Sequence, residues 1–423
     1  MKKIAAVALL LATFCTGIDA QSYREWLEGD ISRAAYIYHN YDTFDTELGK
    51  APAGFKPFYI SHYGRHGSRY HTSATFFDKC IPDLEKAGEA GLLTGEGQWL
   101  LKNLKELKGK HERLYGILTQ VGSDQHQEVA ARMYANFPQV FNQKDRREVL
   151  CISSPFPRCI QSMANFTVSL NSSAGKLRFH YYTGDLFFDV LACDVPDIGI
   201  PARASFVRDS LVNANFSPDR LMGVTFTDPA AAGALISSSP TELFLNVFNS
   251  AAISQNLEFD LEDMFPYFSF EELYSLSYAE NCRMYGDWYT NAEFGDYKSA
   301  GTGKPILRDM LEKADAAVAG NDKAADLRFG HDSGLSPLMS FIKLQDNDWA
   351  GPIAEASDHW ICSREMCMCS NLQLIFYRNR KGEVLVRILH NEREATITGL
   401  EPVTGSFYRW EDLRGYFVKI LAD

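Results

Sequence analysis

Three times along this chain a short apolar run ends in a polar loop, and each loop leads into a helical pattern. The first run, Phe58-Tyr59-Ile60, enters Ser61-His62-Tyr63-Gly64-Arg65-His66-Gly67-Ser68-Arg69-Tyr70, and a helical pattern follows from Thr75 to Ala90. The second, Glu148 to Ile152, enters Ser153-Ser154-Pro155-Phe156-Pro157-Arg158 and then a helix from Cys159 to Leu170. The third, Asp326 to Phe329, enters Gly330-His331-Asp332-Ser333-Gly334, with a helix from Leu335 to Ile342. This alternation predicts an α/β fold with a central, mostly parallel sheet flanked by helices. Loops at the carboxyl ends of neighbouring parallel strands open into one crevice, where such folds bind ligands. Two further strand signals are present. Leu177 to Tyr182 reads as another strand, and Asn371 to Tyr377 with Glu383 to Leu389 reads as a hairpin across Arg378-Asn-Arg-Lys-Gly382.

Between about Asp185 and Tyr297 the texture changes. The segment is rich in Ala, Leu, Phe and Asp, and Phe206–Phe216, Pro240–Gln255, Phe270–Asn281 and Cys282–Tyr289 accept a helical period. The expected organisation is an α/β core from 21–184 and 300–423, with 185–299 as a mostly helical cap inserted into it. Residues 1–20 have the form of a signal peptide: Met1-Lys2-Lys3, an apolar stretch from Ile4 to Phe14, and a small residue, Ala20, before Gln21. The stretch is too short to span a bilayer, and no later run reaches about 18 apolar residues, so the expectation is an exported protein, periplasmic or extracellular, without a membrane span. Nine cysteines are present, and losing Cys15 with the leader leaves an even number; this permits disulfides but fixes no pairing. The group His359, Cys362, Cys367 and Cys369 lacks a C-x-x-C pair and finger spacing, so no metal site is expected. A net charge of −12 argues against non-specific binding to nucleic acid or anionic membranes.

The three loops carry Arg65, His66 and Arg69, then Arg158, then His331 and Asp332. Guanidinium forks match phosphate oxygens and offset charge on a transferring phosphoryl group. A histidine among them can attack phosphorus, and a carboxylic acid can protonate the leaving alkoxide and then activate water. Rival templates do not fit. Gly303-Lys304 has Lys298 where a P-loop needs glycine, His111-Glu112 continues to Tyr115 instead of a second histidine, and no G-x-S-x-G occurs.

Arg65-His66-Gly67-Ser68-Arg69 resembles the R-H-G-x-R signature of the histidine acid phosphatases, the branch of the histidine phosphatase superfamily that includes phytases. His331-Asp332 resembles its H-D signature, and Ser154 through Arg158 to Ser162 its intermediate arginine motif. The order of motifs and the position of the helical insertion also match that family. Ser153-Ser154…Arg158-Cys159, Phe329-Gly-His331 and Asn371-Leu-Gln-Leu…Leu389-His-Asn-Glu392 look most like the multiple inositol polyphosphate phosphatases. The resemblance implies His66 as nucleophile, Asp332 as proton donor, and Arg65, Arg69, Arg158 and His331 as the phosphate-binding set, with no metal or cofactor. It departs from the inositol-polyphosphate subgroup, which usually has H-A-E, and Tyr70-His71 departs from the common R-x-P continuation.

The expected activity is that of an exported phosphomonoesterase taking a small phosphorylated substrate, myo-inositol polyphosphates such as phytate, without an obligate protein partner. The alternatives are a broad acid or sugar-phosphate phosphatase, and a non-catalytic inositol-phosphate binder. A substrate with many phosphates would call for several of Arg203, Arg208, Arg220, Arg283, Lys298 and Lys304 to converge over the cleft. His62 and His71 are further candidates for substrate contact. Ser154 or Ser162 is a candidate partner of the arginine motif; Gln125 and the Gly122 loop are candidates for support behind the site, with the start of a helix the favoured reading.

Overall fold

The computed structural model describes residues 22–42, 47–175, 177–191, 197–257, 263–288 and 294–423; the leader expected at 1–20 lies outside them. Eight strands form one sheet: β1 (Lys56–Arg65), β2 (Glu148–Ser153), β3 (Arg178–Thr183), β4 (Lys323–Gly330), β5 (Asn371–Arg378), β6 (Val384–His390), β7 (Arg393–Glu394) and β8 (Phe407–Arg409). Their order is β3-β2-β4-β1-β5-β6-β7, with β8 on β6. The strands β3, β2, β4 and β1 run parallel, while β5 pairs antiparallel with β1 and continues into the expected hairpin with β6. The sheet is therefore mixed: parallel in the half that ends in the three unusual loops, antiparallel where short turns replace helical crossovers.

Alternation along β1 divides the core into two layers. Tyr59 and Tyr63 join a large apolar cluster that takes in the 297–319 and 332–341 helices and most helices from 200 to 288. Ile60 faces the opposite cluster, with Val129 and Met133 of the 120–136 helix and Met163 and Phe166 of the 157–174 helix. Both faces are covered, which is why β1 and β4 read as nearly continuous buried runs. A buried polar set also crosses the sheet. Tyr59 Oη donates to Asp326 at 2.7 Å, and Arg328 donates to Ser61 Oγ at 3.1 Å and to Asp309 at 2.7 Å. These partners satisfy side chains that would otherwise be costly to bury.

The middle of the chain is helical, as its period predicts. Helices span Ile200–Asn215, Asp219–Thr225, Pro229–Leu235, Pro240–Ala251 and Phe270–Trp288. The helices expected at 270–281 and 282–289 are one continuous helix as far as the described residues reach, Phe270–Trp288, and the pair at 219–235 has too few turns to give a periodic signal. Cys80, Cys151, Cys159, Cys282, Cys362, Cys367 and Cys369 are all buried free thiols.

Candidate active site

Because β2, β4 and β1 are parallel neighbours, the three loops leave the same edge of the sheet. In the register Arg65 pairs with Gly330 and Ser153 with Phe329, so the residues that follow are adjacent. The backbone then stitches the loops together. His66 N–H donates to Gly330 O at 3.0 Å, Ser154 N–H to Phe329 O at 3.0 Å, and Arg65 N–H to Ser370 O at 2.8 Å. The rings of His66 and His331 meet edge to face with centroids 5.7 Å apart.

Arg65 is fully buried. Its Nη1 donates to the carbonyls of Ile37 (2.9 Å) and Met366 (2.6 Å), and its Nη2 lies 3.2 Å from Asp332 Oδ2. That contact is within ion-pair range but off the hydrogen-bond direction, and Nε and Nη2 retain unused donors. Arg69 donates through Nη1 to Tyr70 O at 2.9 Å and lies 5.4 Å from the Tyr38 ring, and its Nε also has no partner. Arg158 sits 4.8 Å from the Phe156 ring and donates to His331 Nδ1 at 3.3 Å. Three neighbouring guanidiniums thus keep buried donors that have no partner among the described residues, a disposition that suits an oxyanion.

Hydrogen bonding fixes the tautomers. His66 Nδ1 is 2.9 Å from Gly67 O; a carbonyl only accepts, so Nδ1 carries the proton and Nε2 the lone pair. Arg158 can only donate to His331 Nδ1, so His331 Nε2 carries the proton and donates to Ser154 Oγ at 2.8 Å. Burial holds the His66 ring well below the usual histidine range, reinforced by Arg158, Arg65 and Arg69, so it stays neutral in mild acid. Burial and Arg158 push His331 down to about 3. Burial pushes the Asp332 carboxyl up, but Arg65, then His331 and Arg69, outweigh it and leave it below the usual carboxylate range.

The first loop is held from below by the 120–136 helix, which starts five residues before the periodic pattern suggests because Thr119 caps it. Its first turn presses directly on the loop backbone. A Cβ on Gly122 would come within 2.2 Å of Ser68 O, and one on Gly67 within 2.5 Å of Gly122 O. Gly122→Ala is therefore expected to destabilise the fold by about 1–3 kcal/mol and to weaken catalysis, because neither backbone can yield without moving Arg69. Thermal denaturation alongside initial rates checks both effects.

The amino-acid sequence from 64 to 186 matches the family described as Histidine phosphatase superfamily (branch 2). That match takes in the first two loops. Beyond it, the likeness is one of fold. The multiple inositol polyphosphate phosphatase of Bifidobacterium longum, solved with inositol hexasulfate, superposes with a TM-score of 0.76 at 19% identity, covering 91% of this chain and 97% of that one. Residues 64–186 thus match branch 2 of the histidine phosphatase superfamily, and the chain shares its fold with a multiple inositol polyphosphate phosphatase. A phytase from D. castellii gives 0.70 at 16% identity over 93% of this chain and 86% of that one. A Hafnia alvei phytase gives 0.53 at 12% over 88% and 98%. No curated protein sequence matches.

The six expected site residues, His66, Asp332, Arg65, Arg69, Arg158 and His331, come together in one cluster. Ser154 and Ser162 also serve it: Ser154 accepts from His331, and Ser162 Oγ accepts from Gly67 N–H at 3.2 Å. His62 and His71 have other surroundings. His62 packs 5.3 Å from the Phe166 ring and 5.6 Å from that of Phe329 in the core, where burial pushes it down to about 3. His71 is buried among Tyr38, Phe77 and the stacked ring of His111.

The cations expected to converge over the cleft mostly pair within their own region. Arg208 contacts Asp209 at 2.7 Å and Glu280 at 3.6 Å, and Arg220 contacts Glu272 at 2.5 Å. Arg283 contacts Glu280 at 2.6 Å and Asp287 at 2.8 Å. Arg203, Lys298 and Lys304 lie 5.4, 5.0 and 6.0 Å from the Phe206, Trp288 and Phe341 rings. The sequence could not show this: the partners of Arg283, three and four residues away, look the same as solvated charges, and Glu280 and Glu272 reach Arg208 and Arg220 only through the fold. Among the described residues no cluster of three or more His, Cys, Asp or Glu side chains is placed to hold a metal, and His359 stacks on Trp349 at 4.4 Å.

Proposed function

We propose that this phosphatase is exported and hydrolyses myo-inositol polyphosphates such as phytate through a phosphohistidine on His66, with Asp332 as acid and then base. The observation that carries the chemistry is the position of His66: its Nε2 lone pair is free of hydrogen bonds among the described residues, and Arg65, Arg69 and Arg158 surround it. A phosphate monoester docks with its oxygens on the guanidiniums, Nε2 attacks phosphorus, and the P–O bond to the alcohol breaks as Asp332 delivers a proton to the alkoxide. Water, deprotonated by Asp332, then displaces His66 and releases inorganic phosphate. The substrate class rests on the likeness in fold to a multiple inositol polyphosphate phosphatase and to phytases. Export rests on the leader-like sequence before Gln21.

A second reading, a broad acid or sugar-phosphate phosphatase, is favoured by the ion pairs of Arg208, Arg220 and Arg283, which leave less free charge for additional phosphates. Phosphate release from phytate and from simple monoesters, with product isomers resolved by chromatography, separates the two. Sequential appearance of lower inositol phosphates at a kcat/KM above that for sugar phosphates is expected. Turnover of sugar phosphates with phytate left intact would favour the second reading.

A further inference from the structure

Ser68 sits in the first loop between Gly67 and Arg69, fully buried, and every hydrogen-bonding capacity of its hydroxyl is engaged. Its proton goes to Asn40 Oδ1 at 2.7 Å. Its two lone pairs accept from Gln125 Nε2 at 2.9 Å and from Asn256 Nδ2 at 2.7 Å. The same two amides also donate to Asn40 Oδ1, at 3.4 and 3.1 Å, and Gln125 Oε1 accepts from Ser68 N–H at 2.9 Å. The orientation of the Asn256 amide follows from this network. Turned over, its oxygen would face Asn40 Oδ1, acceptor against acceptor.

The three amides come from three separate parts of the chain. Asn40 follows the first 3-10 turn, whose Ile37 carbonyl receives Arg65. Gln125 is on the 120–136 helix. Asn256 ends a short turn in the helical region between β3 and β4, and its neighbour Gln255 clasps Asn40 as well, receiving Asn40 N–H at 3.0 Å on Oε1 and Asn40 Nδ2 at 2.7 Å on its carbonyl. Asn256 is fully buried, and its amide donates both to Ser68 Oγ, on the residue that separates Gly67 from Arg69, and to Asn40 Oδ1, the acceptor of the Ser68 proton.

We propose that Asn256 is a positioning residue: through Ser68 it lets the helical region between β3 and β4 fix the loop that aims Arg69 at the phosphate. This rests on reading that loop as the wall of the phosphate site. Asn256 touches no reacting atom, so its effect is on phosphate affinity and on the alignment of His66. A buried hydroxyl that loses a donor is free to turn, and the loop loses its tie to the helical region.

The test compares wild type with Asn256→Ala, Asn256→Asp, Ser68→Ala and the Ser68→Ala/Asn256→Ala double variant. For each, kcat and KM are measured with an aryl phosphate, together with the inhibition constant of inorganic phosphate and the melting temperature. The inhibition constant and KM are expected to rise between about three- and tenfold in Asn256→Ala. Asn256→Asp, the same shape without a donor, should match it and guards against a variant that fails to fold. The double variant should be no worse than Ser68→Ala alone, because one change acts through the other. Unchanged phosphate affinity with only a lower melting temperature would overturn the proposal, as would effects that multiply in the double variant. If inorganic phosphate fails to compete in the wild type, the phosphate-site reading itself falls.

Discussion

His66→Ala should lose on the order of 10^4-fold or more in kcat while keeping its fold and its affinity for inorganic phosphate. The reason lies in what the variant retains. Arg65 is anchored by the Ile37 and Met366 carbonyls, and Arg158 by His331, neither depending on the His66 ring. The arginine set therefore survives, and only the lone pair on Nε2 is removed. On the proposed mechanism, a reaction that passes through a phosphoenzyme on His66 loses its route with that lone pair. Rapid quench at alkaline pH, followed by phosphorus NMR, should detect a phosphohistidine in wild type and none in the variant. Near-normal phosphate release by His66→Ala would remove His66 from the role of nucleophile. The low proton affinity of the ring adds a pH signature. Because burial and Arg158 keep it neutral, the acidic limb of kcat/KM should not follow an ordinary histidine titration near pH 6.5.

The parts of this site that lie within one loop were legible in the sequence, and the parts that join loops were not. Arg65, His66, Arg69, Arg158, His331 and Asp332 stand at the ends of apolar runs, where α/β sheets present their ligand-binding residues. The β4 register that sets His331 beside His66 follows from the same parallel order. What supports Arg65 has no sequence signature, because its acceptors are the backbone carbonyls of Ile37 and Met366, 28 and 301 residues away from it in the chain. The Ser68 network is equally hidden: Asn40, Gln125 and Asn256 are common polar residues whose meeting depends on how the whole chain closes. Gln125 read as the start of a helix because the polar first turn from Gln120 carries no apolar period. His62, a candidate for substrate contact or else a structural residue, takes the structural role. On an alternating strand it belongs to the face away from Tyr63, and the Phe166 and Phe329 rings enclose it there.

Asp332→Asn is expected to separate substrates by leaving group. On alkyl phosphates such as phytate or glycerol phosphate, where the departing alkoxide needs a proton, kcat/KM should fall by about 10^2- to 10^4-fold. On an activated aryl phosphate, whose phenolate leaves unaided, kcat/KM should change little. In the free enzyme the Asp332 carboxyl is below the usual carboxylate range, because Arg65, His331 and Arg69 outweigh the effect of burial. It is therefore ionised over most of the working pH range and becomes an acid only with substrate bound. The incoming phosphate brings negative charge against the same guanidiniums and engages the Arg65 Nη2 now 3.2 Å from Asp332. With that charge offset, burial dominates and the carboxyl takes up a proton, which a monoanionic ester can supply. The second half of the reaction gives an independent check. Asp332 returns as base for the attacking water, so the variant given an aryl phosphate should show a burst of phenolate matching the enzyme concentration, followed by slow turnover of the phosphoenzyme. Equal loss of kcat/KM on alkyl and aryl esters, or the absence of that burst, would place the proton donor elsewhere in the pocket.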